Sequence, residues 1–204
     1  MKTHIIPFSG GCFSGKTTAM FEVQKILTAR GISCLVHEEP IRKLNIKSID
    51  DLRRDPSAYL QMQLDITPPR LQAELNLCSQ NNVQVILIDR AAADSLFYPL
   101  FYLDKSALKN TELARLAGLL SFINEAAITL YRHVYSKTFF FLPLPFKCED
   151  TCFRPVDIEI VKHVESDMIL RLTRGYTSNI ATWDMSVDTH LEIANCIIDI
   201  TKRL

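Results

Sequence analysis

The chain predicts an α/β domain, with a largely parallel sheet and helices on both faces, and three observations lead there. Short apolar runs alternate with helix-compatible stretches over the whole length. One run, Val83-Gln84-Val85-Ile86-Leu87-Ile88, is rich in β-branched residues and reads as a strand buried on both faces. The glycines and charged residues that stand out follow directly after the apolar runs, where open α/β sheets bind their ligands.

The elements follow in order. Ile5-Ile6-Pro7-Phe8 is the first strand and ends in glycines; a helix then runs from 16 to about 30, with Gly31 where a closing C′ glycine belongs. Cys34-Leu35-Val36 is the second strand, ending at His37-Glu38-Glu39-Pro40. Two helical stretches come next, the second over 56–81, and the third strand over 83–88 ends at Asp89-Arg90. Helices are expected over 92–103 and 112–131, and a fourth strand over 138–142 before the Pro143/Pro145 loop. A helix over 157–174 is closed by Gly175, residues 176–182 form the last strand, and 187–202 the last helix. No repeat or low-complexity tract interrupts this order.

At 204 residues, 48% hydrophobic and 23% charged, the chain has the core of one folded domain, which excludes disordered and fibrous classes. Lysine plus arginine equals aspartate plus glutamate, 23 each, so no global charge draws it to nucleic acid or an anionic membrane. No uninterrupted apolar run reaches the roughly 18 residues of a membrane span, and the residues before the first glycines are too few for a signal core. The expectation is a cytoplasmic protein with no membrane partner, its six cysteines mostly small buried hydrophobes. Cys148 and Cys152, with His163 remote, form only part of a zinc set.

Gly10-Gly11-Cys12-Phe13-Ser14-Gly15-Lys16-Thr17 fits G-x-x-x-x-G-K-[ST] without a mismatch, between a predicted strand and a predicted helix. Glycines let consecutive amides turn inward around an anion, and the helix N-terminus adds partial positive charge. Lys16 is placed to reach the outer phosphates of a nucleoside triphosphate, Thr17 to ligate Mg²⁺, and Thr18 to support the helix start. Asp89, closing an apolar strand, has two compatible roles: holding magnesium and capping the next helix.

Phosphoryl transfer needs more: a base near the acceptor hydroxyl, cations near the moving group, and a cover that excludes water. Glu39, beside Pro40, is the first choice for the base and Glu38 the second. Arg90 suits a phosphate or carboxylate through its bidentate fork. Asp94 either bonds a sugar hydroxyl or is a first-turn helix acid. Residues 143–156 are the lid candidate; within them Arg154 can act on the transferring group, and Lys147 is the weaker choice.

This order of phosphate loop, Glu-Pro, Asp-Arg and late arginine resembles the P-loop nucleoside and nucleotide kinases. It is most similar to the small bacterial and phage ATPase/kinase family related to the ribosylnicotinamide-kinase domain, and more distantly to thymidylate and deoxynucleoside kinases. The matching residues are Glu39 to Arg42, then Asp89, Arg90 and Asp94, then Phe140-Phe141-Leu142-Pro143 leading to Arg154. Ala91 stands where deoxynucleoside kinases usually carry serine, and Leu44 and Ile46 where they place an aromatic residue. The resemblance implies a three-layer P-loop kinase fold with a five-stranded sheet and a lid, using ATP and Mg²⁺. It implies an acceptor pocket with Glu38 and Arg42 nearby and one wall made by the long helix carrying Tyr59, Gln61, Gln63 and Arg70.

The implied reaction moves the γ-phosphoryl group of ATP to a hydroxyl of a nucleoside- or nucleotide-type acceptor. Two alternatives stay open. One is a kinase acting on DNA, at a 5′ end or a hydroxylated base, with Lys43, Lys47, Arg53 and Arg54 as a local basic strip. The other is a nucleotide-binding regulatory NTPase. A homodimer is compatible with each reading.

Overall fold

Strands buried on both faces must show apolar side chains to both sides, and the three inner strands do so with a period of two. In a computed structural model, which describes residues 2–12, 14–38, 54–79, 82–145, 158–184 and 188–202, the strands are β1 (His4–Ser9), β2 (Cys34–His37), β3 (Val85–Asp89), β4 (Thr138–Phe141) and β5 (Ile180–Trp183). They form one sheet in the order β2-β3-β1-β4-β5, every neighbouring pair parallel. Ile6, Phe8, Val85, Leu87, Phe139 and Phe141 point to one face. Ile5, Ile86 and Ile88 supply the other, and Phe140 packs there with Phe97 and Ile169.

The helices are α1 (Lys16–Ala29), α2 (Pro56–Asn76), α3 (Ala92–Phe101), α4 (Asn110–Thr129), α5 (Ile158–Tyr176) and α6 (Thr189–Lys202). Met20, Val23 and Leu27 of α1 and Ile193, Ile197 and Ile198 of α6 cover the first face. Helices α2, α3 and α4 cover the second, joined by α5 at the Phe140 cluster. The result is the α/β architecture read from the sequence, a parallel five-stranded sheet between two helical layers.

Gly31 closes α1 as expected: its φ is 78°, its amide donates to Thr28 O at 3.0 Å, and Ile32 N donates to Leu27 O at 3.0 Å. This is the Schellman pattern, and the accompanying apolar pair, Leu27 and Ile32, lies in the core. Other boundaries differ from expectation. The helix through Gly175 does not stop there; α5 runs to Tyr176, with Thr177 N still bonded to Thr173 O at 3.1 Å. The turn comes later, at Asn179, whose amide donates to Thr177 Oγ1 at 3.0 Å, so β5 starts at Ile180 rather than 176. A glycine with open space around it and no positive φ has no reason to end a helix. β3 begins at Val85, since Gln84 N pairs with Ser33 O ahead of the regular ladder. α2 continues through Pro68 and Pro69 but gives way to a 3₁₀ turn, Leu77–Ser79, before the expected end at 81. α4 begins two residues early, at Asn110, and runs into a π turn, Leu130–Val134. The first helical stretch expected after β2 lies outside the described residues.

Among the described residues one segment, Asn110–Val134, is long and apolar enough by composition to cross a membrane, although its apolar residues form no unbroken run. Here Leu116, Leu119, Ile123, Ala126 and Ala127 turn toward the core shared with α2 and α3. That core face, 33% of the apolar window, accounts for part of its apolar content.

Candidate functional site

The octet sits where β1 ends and α1 begins, at the carboxyl edge of the sheet. Two glycines are required by space. A Cβ on Gly10, whose φ is 140°, would lie 2.6 Å from Phe141 O of β4. A Cβ on Gly11 would lie 3.1 Å from Ser166 N and 3.2 Å from Lys162 O, backbone atoms of α5. Gly15 is the N-cap of α1 at φ 73°, so no side chain caps the helix start, the arrangement that leaves its amides for an anion. Lys16 is buried, and its Nζ donates to Gly11 O at 2.9 Å; Ser14 Oγ donates to the same carbonyl at 3.0 Å. Cys12 is partly exposed, Thr18 exposed, and Phe13 lies outside the described residues.

Thr17 Oγ1 donates to Asp89 Oδ2 at 3.0 Å, joining the first turn of α1 to the end of β3. A hydroxyl and a carboxylate this close are hard oxygen donors, the set magnesium accepts beside phosphate oxygens, so the residues present fit the ion. No group of three or more His, Cys, Asp or Glu placed to hold a metal ion by themselves occurs among the described residues.

Arg90 follows Asp89 in the left-handed region, φ 75°. Its amide donates to Phe8 O at 2.9 Å, and its guanidinium lies 5.1 Å over the Tyr98 ring. Arg90 Nη1 stands 3.8 Å from both Asp94 Oδ1 and Glu165 Oε1, and Tyr98 OH donates to Glu165 at 2.8 Å. Asp94 is fully buried and faces inward: Ser9 Oγ and Ala91 N donate to its Oδ2 at 2.7 and 2.9 Å, and Gly10 N to its Oδ1 at 3.3 Å. Burial pushes its carboxyl up, and Arg90 and the Ser9 hydroxyl pull it back. In this arrangement the acid braces the phosphate loop against α3; both its oxygens are engaged by the chain's own donors. The Cys12 thiol is pushed up to about 12, first by burial and then by Glu165.

Among the expected acceptor-wall residues, Tyr59 is 1% exposed within the core cluster, and buried Gln63 accepts from Thr67 Oγ1 at 3.3 Å. Gln61 is exposed and bonds Asp65 and Arg115. Glu38 is exposed just past β2. Glu39, Arg42, Arg154 and Lys147 lie outside the described residues, as do Lys43, Lys47, Arg53, Cys148 and Cys152.

The sequence reading missed the contribution of α5. Lys162, Glu165 and Ser166 share one helix face and are all buried beside the loop, with Lys162 Nζ donating to Leu144 O at 3.1 Å. Spacing of three and four was the available signal, but a charged stripe on an amphipathic helix reads as its solvent face.

No protein-family model matches the sequence, and no curated protein resembles it in sequence. Solved structures resemble it in fold. An NadR protein in complex with NAD and AMP-PNP has a TM-score of 0.64 at 16% identity, covering 99% of this chain and 51% of that one. An NadR protein in complex with NR gives 0.63 at 18%, covering 98% and 52%. The chain thus spans about half the length of these proteins, which share its fold.

Proposed function

We propose that the chain is a Mg-ATP-dependent phosphotransferase that moves the γ-phosphoryl group to a hydroxyl of a nucleoside- or nucleotide-type acceptor. The observation that carries the reading is the meeting of Thr17 and Asp89, 3.0 Å apart, beside a complete phosphate-loop octet at the carboxyl edge of a parallel sheet. The like-folded NadR proteins, solved with NAD, AMP-PNP and NR, support a ligand of nucleotide type.

In this reading the loop amides and Lys16 hold the phosphates, the ammonium exchanging Gly11 O for phosphate oxygens. Thr17 and Asp89 hold Mg²⁺, which when bound supplies charge neutralisation at the phosphate oxygens. Asp94 keeps the β1 end of the loop in place, Glu39 accepts the hydroxyl proton, and Arg90 and Arg154 balance charge on the moving group. The chain does little covalent chemistry itself; it positions and neutralises.

A transfer screen with γ-labelled ATP over nucleosides, mononucleotides and DNA, modified bases included, tests the reading. Label on an acceptor hydroxyl is expected. Labelled DNA with no labelled small molecule would move the acceptor to nucleic acid. ATP hydrolysis indifferent to every acceptor, and to Glu39→Gln, would make the protein a regulatory NTPase instead.

A further inference from the structure

Arg90 is the one non-glycine residue with positive φ among those described. The left-handed region is strained for a residue with a Cβ and persists where surrounding bonds over-determine it. Here the peptide unit joining Arg90 to Ala91 is held from both sides. Its N–H donates to Asp94 Oδ2 at 2.9 Å, and its carbonyl accepts from Arg70 Nη2 at 2.7 Å.

Arg70 comes from α2, a different helix, and is buried. Among the described residues its fork reaches Arg90 O, Ser95 Oγ of α3 at 3.2 Å through Nη1, and Glu74 Oε1 at 2.9 Å through Nε. Glu74, 0% exposed, also accepts from the hydroxyl of Tyr135, the residue that closes the π turn after α4. Burial, and then Glu74, push the Tyr135 phenol well up, so it stays a donor. Arg70 and Glu74 form a buried ion pair within α2, a costly way to seat a helix in a core, since apolar packing does that as well. What apolar packing cannot supply is a directed donor onto one backbone carbonyl.

We infer that Arg70 is a positioning residue: it fixes the left-handed backbone of Arg90 and so aims the Arg90 guanidinium at the carboxyl edge where transfer takes place. The inference rests on the phosphotransfer reading for what Arg90 does, and on the hydrogen bonds alone for how Arg90 is held.

Two full-length variants test it. Arg70→Met with Glu74→Gln removes the ion pair as a pair and leaves Tyr135 an oxygen to donate to. Arg70→Lys keeps the charge beside Glu74 but cannot span three acceptors. Both are expected to bring the backbone ¹³Cα and ¹³Cβ shifts of Arg90 out of left-handed values. Both are also expected to lower kcat, by about 100-fold in the double variant, with the ATP dissociation constant within about twofold of wild type. An Arg90 that stays left-handed in both variants overturns the inference, as does wild-type kcat in either. A loss of kcat tracked by an equal loss of ATP affinity and of unfolding midpoint also overturns it, because that is the mark of a structural staple. If the unaltered protein transfers phosphate to no acceptor, the proposed function fails on that result, and the Arg90 shifts alone decide the role of Arg70.

Discussion

Lys16 bonds Gly11 O in the loop it is expected to serve, so a phosphate has to offer more than a carbonyl does; an anionic oxygen does so, because then both partners carry charge. Lys16→Ala is expected to cut transfer by about 100-fold or more, measured as kcat/KM for ATP. Glycines divide by what surrounds them. Gly11→Ala forces a methyl against α5 backbone 3.1 Å away and is expected to lower stability by about 1–3 kcal/mol in a denaturant titration. Gly118→Ala on α4, with nothing within 4 Å, is expected to raise it by about 0.5–1 kcal/mol. Cys12 lies inside the loop, yet burial and Glu165 hold its thiol at about 12, so the nucleophilic thiolate is scarce near neutral pH. Mass spectrometry after alkylation at pH 8 is expected to find Cys12 unmodified in the folded chain and modified once it is unfolded. The octet and Asp89 were legible because their chemistry is written in consecutive residues or at a strand end. Asp94 was legible as a helix acid, and its bond from Ala91 N is local; that Ser9 and Gly10 turn toward it depends on packing between segments about 85 residues apart.

Elements declare themselves where a local rule is strong. The apolar runs of β1, β3 and β4 and the Gly31 motif are such rules, and the structure follows them. Gly175 shows the limit, since a glycine ends a helix only where a positive φ is used, and Gly175 has none. α5 is the other case. Its face carrying Lys162, Glu165 and Ser166 reads as surface, but the helix presses these groups onto the phosphate loop. Glu165→Ala removes the carboxylate beside Arg90 and the acceptor of Tyr98 OH while leaving the core apolar packing intact. A lost hydrogen bond to a charged group costs about 1.5–3 kcal/mol, and because Tyr98 is only partly buried a loss at the low end of that range in the unfolding free energy is expected.

At the scale of the molecule, ligand and fold are linked: whatever binds the native loop stabilises the native sheet edge. Mg-ATP at about 100 times its dissociation constant is expected to raise the unfolding free energy by about 2.7 kcal/mol, read by calorimetry, and to do nothing for Lys16→Ala. The order β2-β3-β1-β4-β5 puts β1 at the centre, so the ends of β3 and β4 flank the octet. Alternating strands and helices told the class and the edge on which ligands bind, because connections between parallel strands are right-handed and short-range pattern suffices. By itself, then, the sequence determined the α/β class, the phosphate-loop octet and the acid at the end of β3, each carried by neighbouring residues and backbone sterics. Only the tertiary structure decided that Arg70 and Glu74 lie behind Arg90, that Asp94 turns inward and that α5 covers the loop. Apart from the Arg70–Glu74 pair within α2, those contacts join residues 20 or more positions apart, and desolvation and close packing, which no local pattern encodes, choose between their alternatives.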